Sequence, residues 1–233
     1  MAEQTTAGQT QTDLPQYMTS PASAMADAMA EAASEAVTIR ELPFRTMIGL
    51  RAAPGSAAAT AIAEAAGLPL PTAVGEVAGD DRGEGPAVLW IGPDEQLLVA
   101  PSEHAGGRVA LTASLKEALG EEPGQVVDLS ANRTILELAG PKARAVLEKS
   151  VSIDLHDRAF EVGRAVATLA GSFPILLWRT DAETWRTLPR ASFAHSFAEW
   201  LLDGAAEFAG EATGSSSAAA SAAQAPVDAG GAG

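Results

Sequence analysis

Apolar positions in the middle of the chain switch between two periods. In VTIREL (37–42) and TMIGL (46–50) they fall close to every second residue, the period of a strand, and Pro43 separates the two runs. From Ser56 to Ala66 the spacing lengthens to that of a helix, which Gly67 closes, since glycine readily takes the left-handed conformation of a helix end. The succession recurs. AVLWI (87–91) and EQLLVA (95–100) flank a Gly92-Pro93-Asp94 turn, and Arg108 to Leu119 follows as a helix ended by Gly120. Leu111, Leu115, Ala118 and Leu119 make its apolar face.

A third copy is VVDLSANRTILELAGPKARAVLEK (126–149): strand, turn at Ala131-Asn132, strand, then a helix with Pro141 at its first position and Ala143, Val146 and Leu147 as its buried face. The fourth is longer. RAVATLA (164–170), PILLWRT (174–180) and TWRTL (184–188) read as strands, and a helix from Ser192 places Phe193, Phe197, Trp200 and Leu201 on one face expected to be buried. Strand pairs each followed by a helix predict an α+β fold, antiparallel sheets with helices packed on one face.

The ends differ from this body. Residues 1–18 are polar, rich in Thr and Gln, and predicted to be disordered. Ser20-Pro21 reads as the N-cap and first position of a short helix, PASAMADAMAEAASEA, too weakly apolar to hold to its own domain and so suited to docking elsewhere. From Gly210 the chain is low-complexity Ala, Ser and Gly, unable to offset its ordering entropy. The expected organisation is therefore an N-terminal segment 1–36, an α+β domain 37–206 with lobes at about 37–120 and 125–206, and a disordered tail 207–233. Partner contacts are expected at Ser20 to Ala36 and on the exposed face of the last helix.

Charge narrows the function. The 233 residues carry a formal charge of −15, and both ends, 1–36 and 207–233, hold acids but no Lys or Arg. Nucleic-acid binding needs clustered bases to displace counterions from phosphate, and anionic membrane surfaces need the same, so neither partner is expected. With no cysteine, disulfides, thiolate chemistry and Cys-ligated metals are excluded. MAEQTTAGQT lacks the basic and apolar regions of a signal peptide, which leads to a cytoplasmic, soluble expectation.

Chemistry-bearing residues are few. His104, His156 and His195 stand at no metal-pair spacing. Asp128, Ser130 and His156 compose a triad on paper, yet no G-x-S-x-G elbow exists, and Asp128, Ser130, Asn132 and Arg133 read better as the polar groups of a turn. GDDRGEGP (79–86) and AGPKA lack the residues of a phosphate loop, and the former reads as an exposed loop. Trp90, Trp178, Trp185 and Trp200 are expected in the core. Arg179 and Arg186, on neighbouring strands, could clamp a carboxylate, but abundant acids favour a surface or interface role. No catalytic, cofactor-binding or metal-binding residue is assigned.

With these motifs laid out, VVDLSANRTILELAGPKARAVLEKSVSIDL resembles the opening of folate-dependent aminomethyltransferases, and GRAVATLAGSFPILLWRTDAETWRTLPRASFAHSFAEWL the segment that follows there. The chain is still more similar to the gamma-subunit family of heterotetrameric sarcosine oxidases, through VTIRELPF, GLPLP (67–71), LWIGPDEQLLVAP (89–101), the D-L-S-x-x-R-T turn and the R-x-S-F-A…W-L close, over roughly residues 20–204. Gln96 stands where that pattern leads one to expect Trp. The resemblance implies a subunit without catalytic residues, in a complex with alpha, beta and delta subunits. The complex would oxidatively demethylate sarcosine to glycine, yielding hydrogen peroxide and either formaldehyde or methylene-tetrahydrofolate. FAD, FMN, NAD, tetrahydrofolate and zinc would belong to the other subunits. The alternative it leaves open is a free-standing folate-binding or aminomethyl-transfer accessory protein.

Overall fold

The computed structural model describes residues 18–209, so the expected disorder of residues 1–17 and of the tail from Gly210 lies outside the described residues. Within that range the chain forms α1 (Ala26–Glu31), β1 (Thr38–Leu42), β2 (Thr46–Ala52), α2 (Ala57–Ala66), β3 (Val77–Gly79), β4 (Ala87–Gly92), β5 (Glu95–Ala100) and α3 (Arg108–Leu119). It continues with β6 (Gly124–Asp128), β7 (Ile135–Ala139), α4 (Ala143–Glu148), β8 (Ala165–Ala170), β9 (Phe173–Asp181), β10 (Thr184–Pro189) and α5 (Ala194–Ala205). The ends of α2 show the local physics at work. Ser56 Oγ accepts from the Ala59 N–H at the start, and Gly67, at φ 66°, takes up the left-handed turn at the finish.

Two antiparallel five-stranded sheets result, in the orders β1-β7-β10-β9-β8 and β3-β4-β5-β2-β6. Alternation along each strand sends side chains to two faces. One face of the first sheet packs Leu136, Leu138, Ile175, Leu177 and Trp185 under α4 and α5. One face of the second packs Ile48, Leu50, Val88, Leu98 and Val126 under α2 and α3. The remaining faces meet through Met47, Leu89, Leu97 and Val99 on one side and Ile135, Leu176, Trp178 and Leu188 on the other. The layers thus run helix, sheet, sheet, helix. The expected α+β class with helices on one face of each sheet stands.

The repeat is twofold rather than fourfold. Each half runs β-β-α-β-β-β-α, from β1 to α3 and from β6 to α5, and the two sheets match strand for strand. The first strand of each half crosses to the other half's sheet: β1 pairs with β7, and β6 pairs with β2. The sheets therefore do not divide the chain at 120–125 as the two expected lobes do. The crossovers carry a shared signature, Arg45-Thr46 where β2 begins and Arg133-Thr134 just before β7, with both threonines buried.

Local expectations differ at several points. Pro141 lies in a turn ahead of α4, whose N-cap is Lys142. Ser20 caps no helix with its side chain. Its hydroxyl donates to Glu41 Oε2 at 2.6 Å, while the Ala22 N–H donates to Glu41 Oε1 at 3.1 Å. Those bonds, with Ala22, Met25 and Met29 buried in the core under α5, fasten the N-terminal segment to its own domain; it is not a free docking arm. The fold also runs past residue 206: Phe208 is buried, with Lys149 Nζ 4.9 Å above its ring. In α5 only Phe197 and Leu201 of the expected apolar face are buried; Phe193 and Trp200 are exposed.

Candidate functional site

The polar stretch between β6 and β7 is a joint. The Ser130 N–H donates to Asp128 Oδ1 at 2.9 Å, closing a local turn, and Arg108 reaches Asp128 Oδ2 at 2.7 Å. Burial pushes the Asp128 carboxyl up, but the Ser130 hydrogen bonds and the Arg108 charge outweigh it and hold the pKa below the ordinary value. Ser130 Oγ accepts from the Met47 N–H at 3.0 Å, at the start of β2. Asn132 Oδ1 accepts from Arg190, and Arg133 donates to the Leu188 carbonyl at 2.8 Å. Thr134 Oγ1 donates to Glu41 on β1. Asp128 shapes the turn and ties it to α3, and the other members of this group join the crossovers to neighbouring strands. His156, the third member of the triad composed on paper, is an exposed residue whose Nδ1 accepts from the Arg158 N–H.

A second polar group is buried between the sheets. Arg40, Glu137, Arg186 and Trp178 lie in one cross-strand row over β1, β7, β10 and β9. Glu137, its side chain 4% exposed, accepts from Arg186 Nε at 2.9 Å and from Arg40 Nη2 at 2.6 Å. Burial raises the pKa of this carboxyl, yet the two guanidinium groups win and set it below the ordinary carboxylate range. Arg186 stacks over Trp178 at 5.5 Å and donates to the Gly83 carbonyl at 2.6 Å. The loop 79–86 is therefore drawn onto the sheet. It folds around Asp80, which accepts from the Arg82 and Gly85 N–H groups and is held below its ordinary pKa chiefly by the latter. Gly83 is buried at φ 75°, and a Cβ there would collide with the Arg186 guanidinium. The loop is exposed or half-buried, as expected, except at Gly83, whereas the surface arginine read from the sequence is corrected: a lone acid and a lone base, each within an apolar strand, pair inside.

Arg179 is buried likewise, on the helix-facing side. It stacks over Trp185 at 5.0 Å, donates to the carbonyls of Phe160 and Ala182, and pairs with Asp157 at 2.8 Å. Beside it, Pro141, Arg144, Asp157, Glu183 and Trp185 line a hollow of about 430 Å³. Its charges are largely matched internally, Asp157 serving both Arg179 and Arg144, and Glu148 serving Arg144. His195 faces Glu199 at 3.5 Å on the surface of α5. Among the described residues no group of three or more His, Cys, Asp or Glu is arranged to hold a metal, and no helix is long and apolar enough to cross a membrane.

Trp178 and Trp185 are fully buried, as expected, whereas Trp200 is not. Gln96 is buried with its Nε2 on the Pro71 carbonyl and its Oε1 without a partner. Sequence reasoning passed over Glu41 and Glu137. The signal was present in I-L-E-L-A, where one acid interrupts an otherwise apolar strand.

Against known proteins, the model of the sarcosine oxidase, gamma subunit family matches residues 50–207. The chain is 52% identical over 205 residues to sarcosine oxidase subunit gamma of Corynebacterium sp. (strain U-96), covering 87% of this chain and 97% of that one. It is 52% identical over 191 residues to the subunit of the same name from Arthrobacter sp, covering 82% of this chain and 91% of that one. Among solved structures it resembles a chain of the heterotetrameric sarcosine oxidase from Corynebacterium sp. U-96 in complex with pyrrole 2-carboxylate. The TM-score is 0.78 at 52% identity, over 83% of this chain and 97% of that one. The glycine cleavage system aminomethyltransferase T from Bartonella henselae shares the fold, at TM-score 0.52 and 18% identity over 75% of this chain and 48% of that one.

Proposed function

The chain belongs to the sarcosine oxidase gamma subunit family, and we propose from that premise that it is the gamma subunit of a heterotetrameric sarcosine oxidase, contributing structure and no reacting group. The assembly would consume oxygen, demethylate sarcosine to glycine, and release hydrogen peroxide with formaldehyde or methylene-tetrahydrofolate. Alpha, beta and delta subunits are the partners, and the cytoplasm is the site of action. The observation that carries the reading is the near end-to-end likeness to a gamma subunit, over 97% of that relative's length.

The side chains support the structural role. Asp128, Ser130, Asn132, Arg133, Glu137, Arg179 and Arg186 all hold strands, turns or loops to one another. The layer between the sheets is filled by Met47, Leu89, Leu97, Trp178 and Leu188. That packing leaves no room for a flavin or a dinucleotide between the sheets, in keeping with FAD, FMN and NAD carried by the other subunits; tetrahydrofolate and zinc are assigned there with them.

Expressed alone, the chain should be colourless and inactive towards sarcosine. Co-expressed with alpha, beta and delta subunits, it should purify within a yellow complex that oxidises sarcosine. Failure to associate with any alpha–beta pair overturns the reading, as does amine oxidation by the isolated chain.

A further inference from the structure

Two exposed aromatic side chains meet at one place. Phe193 is 39% exposed and Trp200 49% exposed. Both contact Phe173 at the start of β9, with ring centroids 6.0 and 6.1 Å away, and the buried Phe197 lies beneath at 5.3 Å. The indole is also held in place. The β8–β9 turn runs across it so closely that a Cβ on Gly171 would stand 3.3 Å from Trp200 Cζ2. An aromatic group fixed by its neighbours while half in water has little rotamer freedom left to lose on binding.

The hairpin beside it has an unusual surface for so acidic a chain. No charged residue occurs from Ala165 through Trp178. β8 is the outermost strand of its sheet, its free edge met only at the ends, by Gly75 at Ala165 and by Ser150 and Val151 at Gly171 and Ala170, and edge strands facing water ordinarily carry charges that block pairing. Here Leu169, 51% exposed, sits opposite the exposed Pro174. Apolar side chains thus stand on both sides of the hairpin tip.

We infer that the tip of the β8–β9 hairpin, with Phe193 and Trp200, is the anchor by which the chain docks on another subunit of the tetramer, in an apolar hollow rimmed by Lys or Arg. The inference rests on the function proposed above and adds the contact surface to it. Charge selects the occupant. Exposed Glu199 and Asp203 border the aromatic patch on α5; His195 faces Glu199 at 3.5 Å, and Arg190, the nearest Lys or Arg in sequence, is engaged by Asn132. A second copy of a chain with formal charge −15 would set acids against acids, whereas a basic rim would pair them. Rigid aromatic anchors ringed by polar groups are where binding energy concentrates.

The test is co-expression with the other three subunits, comparing the natural chain, Phe193→Ser/Trp200→Ser, and Val109→Ser on α3, whose side chain is 70% exposed elsewhere. The natural chain and Val109→Ser should enter the complex alike. The double variant, with an unchanged far-ultraviolet dichroism spectrum, should be recovered in it at least tenfold less. Hydrogen exchange should slow at residues 169–173 and 193–203 of the natural chain on assembly, a readout that stands even if the double variant folds poorly. A double variant that assembles normally, or unchanged exchange at those residues, overturns this surface while leaving the family role intact. A natural chain that does not assemble overturns the role itself, and the inference with it. Sedimentation of the isolated chain as a dimer that the double variant dissolves overturns the choice of occupant in favour of a second copy.

Discussion

Ser130 and Met47 are 83 residues apart, yet the Met47 N–H donates to Ser130 Oγ at 3.0 Å, and the Leu129 N–H donates to the Met47 carbonyl at 2.8 Å. The turn after β6 is thereby stitched to the first residues of β2, where the two halves exchange their leading strands. Glu41 makes the reciprocal tie, accepting from Thr134 just before β7. The polar residues that most invited a catalytic reading are the ones that close this exchange.

Removing Ser130 should therefore cost stability and nothing chemical. Met47 is 1% exposed, so Ser130→Ala leaves its N–H buried without that acceptor. A loss of about 1–3 kcal/mol is expected from the desolvation of an unpaired group. Urea denaturation of the isolated chain measures it. The turnover of an assembled complex carrying the variant should match that of the natural one at a temperature where both are folded.

The row Arg40–Glu137–Arg186 predicts an asymmetry between two arginines that share one carboxylate. Arg186 and Glu137 are both 4% exposed, whereas the Arg40 side chain is 68% exposed. Arg186→Met breaks a buried pair and frees the Gly83 carbonyl, with an expected cost of about 3–5 kcal/mol. Arg40→Ala removes the more exposed partner but strips buried Glu137 Oε1 of its two donors, with an expected cost of about 1.5–3 kcal/mol. Equal losses by chemical denaturation would contradict the assigned burial of the pair.

Much of this architecture was legible beforehand because period and punctuation are local signals. VTIREL, AVLWI, EQLLVA and the helix closed by Gly67 fall where the sequence puts them. Partner choice between distant strands is not local. Nothing near Thr38 says that it will pair with Ala139, and β3, only Val77–Gly79, is too short to show a period. The fate of Trp200 was hidden for a different reason. Helical spacing places it one turn from Phe197, but burial depends on where the sheet beneath ends, and there the hairpin turn at Gly171 leaves half of the indole in water. Arg179 and Arg186 were misplaced because charge suggests surface, while two stacked tryptophans and backbone carbonyls accept them inside.

Acid should unfold the protein through its carboxylates. Glu137, Asp128 and Asp80 all have folded pKa values below their ordinary ones. A carboxylate depressed on folding contributes stability above its unfolded pKa, and that contribution disappears as pH falls through the folded value. Stability should therefore be level above the ordinary carboxylate range, about pH 4, and decline steadily beneath it. Glu137→Gln should flatten part of that decline while lowering stability at neutral pH. Thermal melting across the pH range tests both, and an unchanged acid limb in the variant would refute the role given to Glu137.

Gln96 offers the opposite case, a buried polar side chain whose removal should help. It is 2% exposed on β5, directly across from Trp90. Its Nε2 makes one long bond, 3.3 Å, to the Pro71 carbonyl, while its Oε1 and the Trp90 Nε1 both lack partners. An unmet buried acceptor costs about 1–3 kcal/mol, whereas one neutral hydrogen bond contributes about 1 kcal/mol net. Methionine matches glutamine closely in length and shape and brings no polar atom that must be paired. Gln96→Met should therefore leave stability unchanged or raise it by up to about 2 kcal/mol, the difference between those two contributions. If the variant instead loses more than about 1 kcal/mol in urea denaturation, the bond to Pro71 outweighs the unmet acceptor, and Gln96 is a pin for the segment leading into β3.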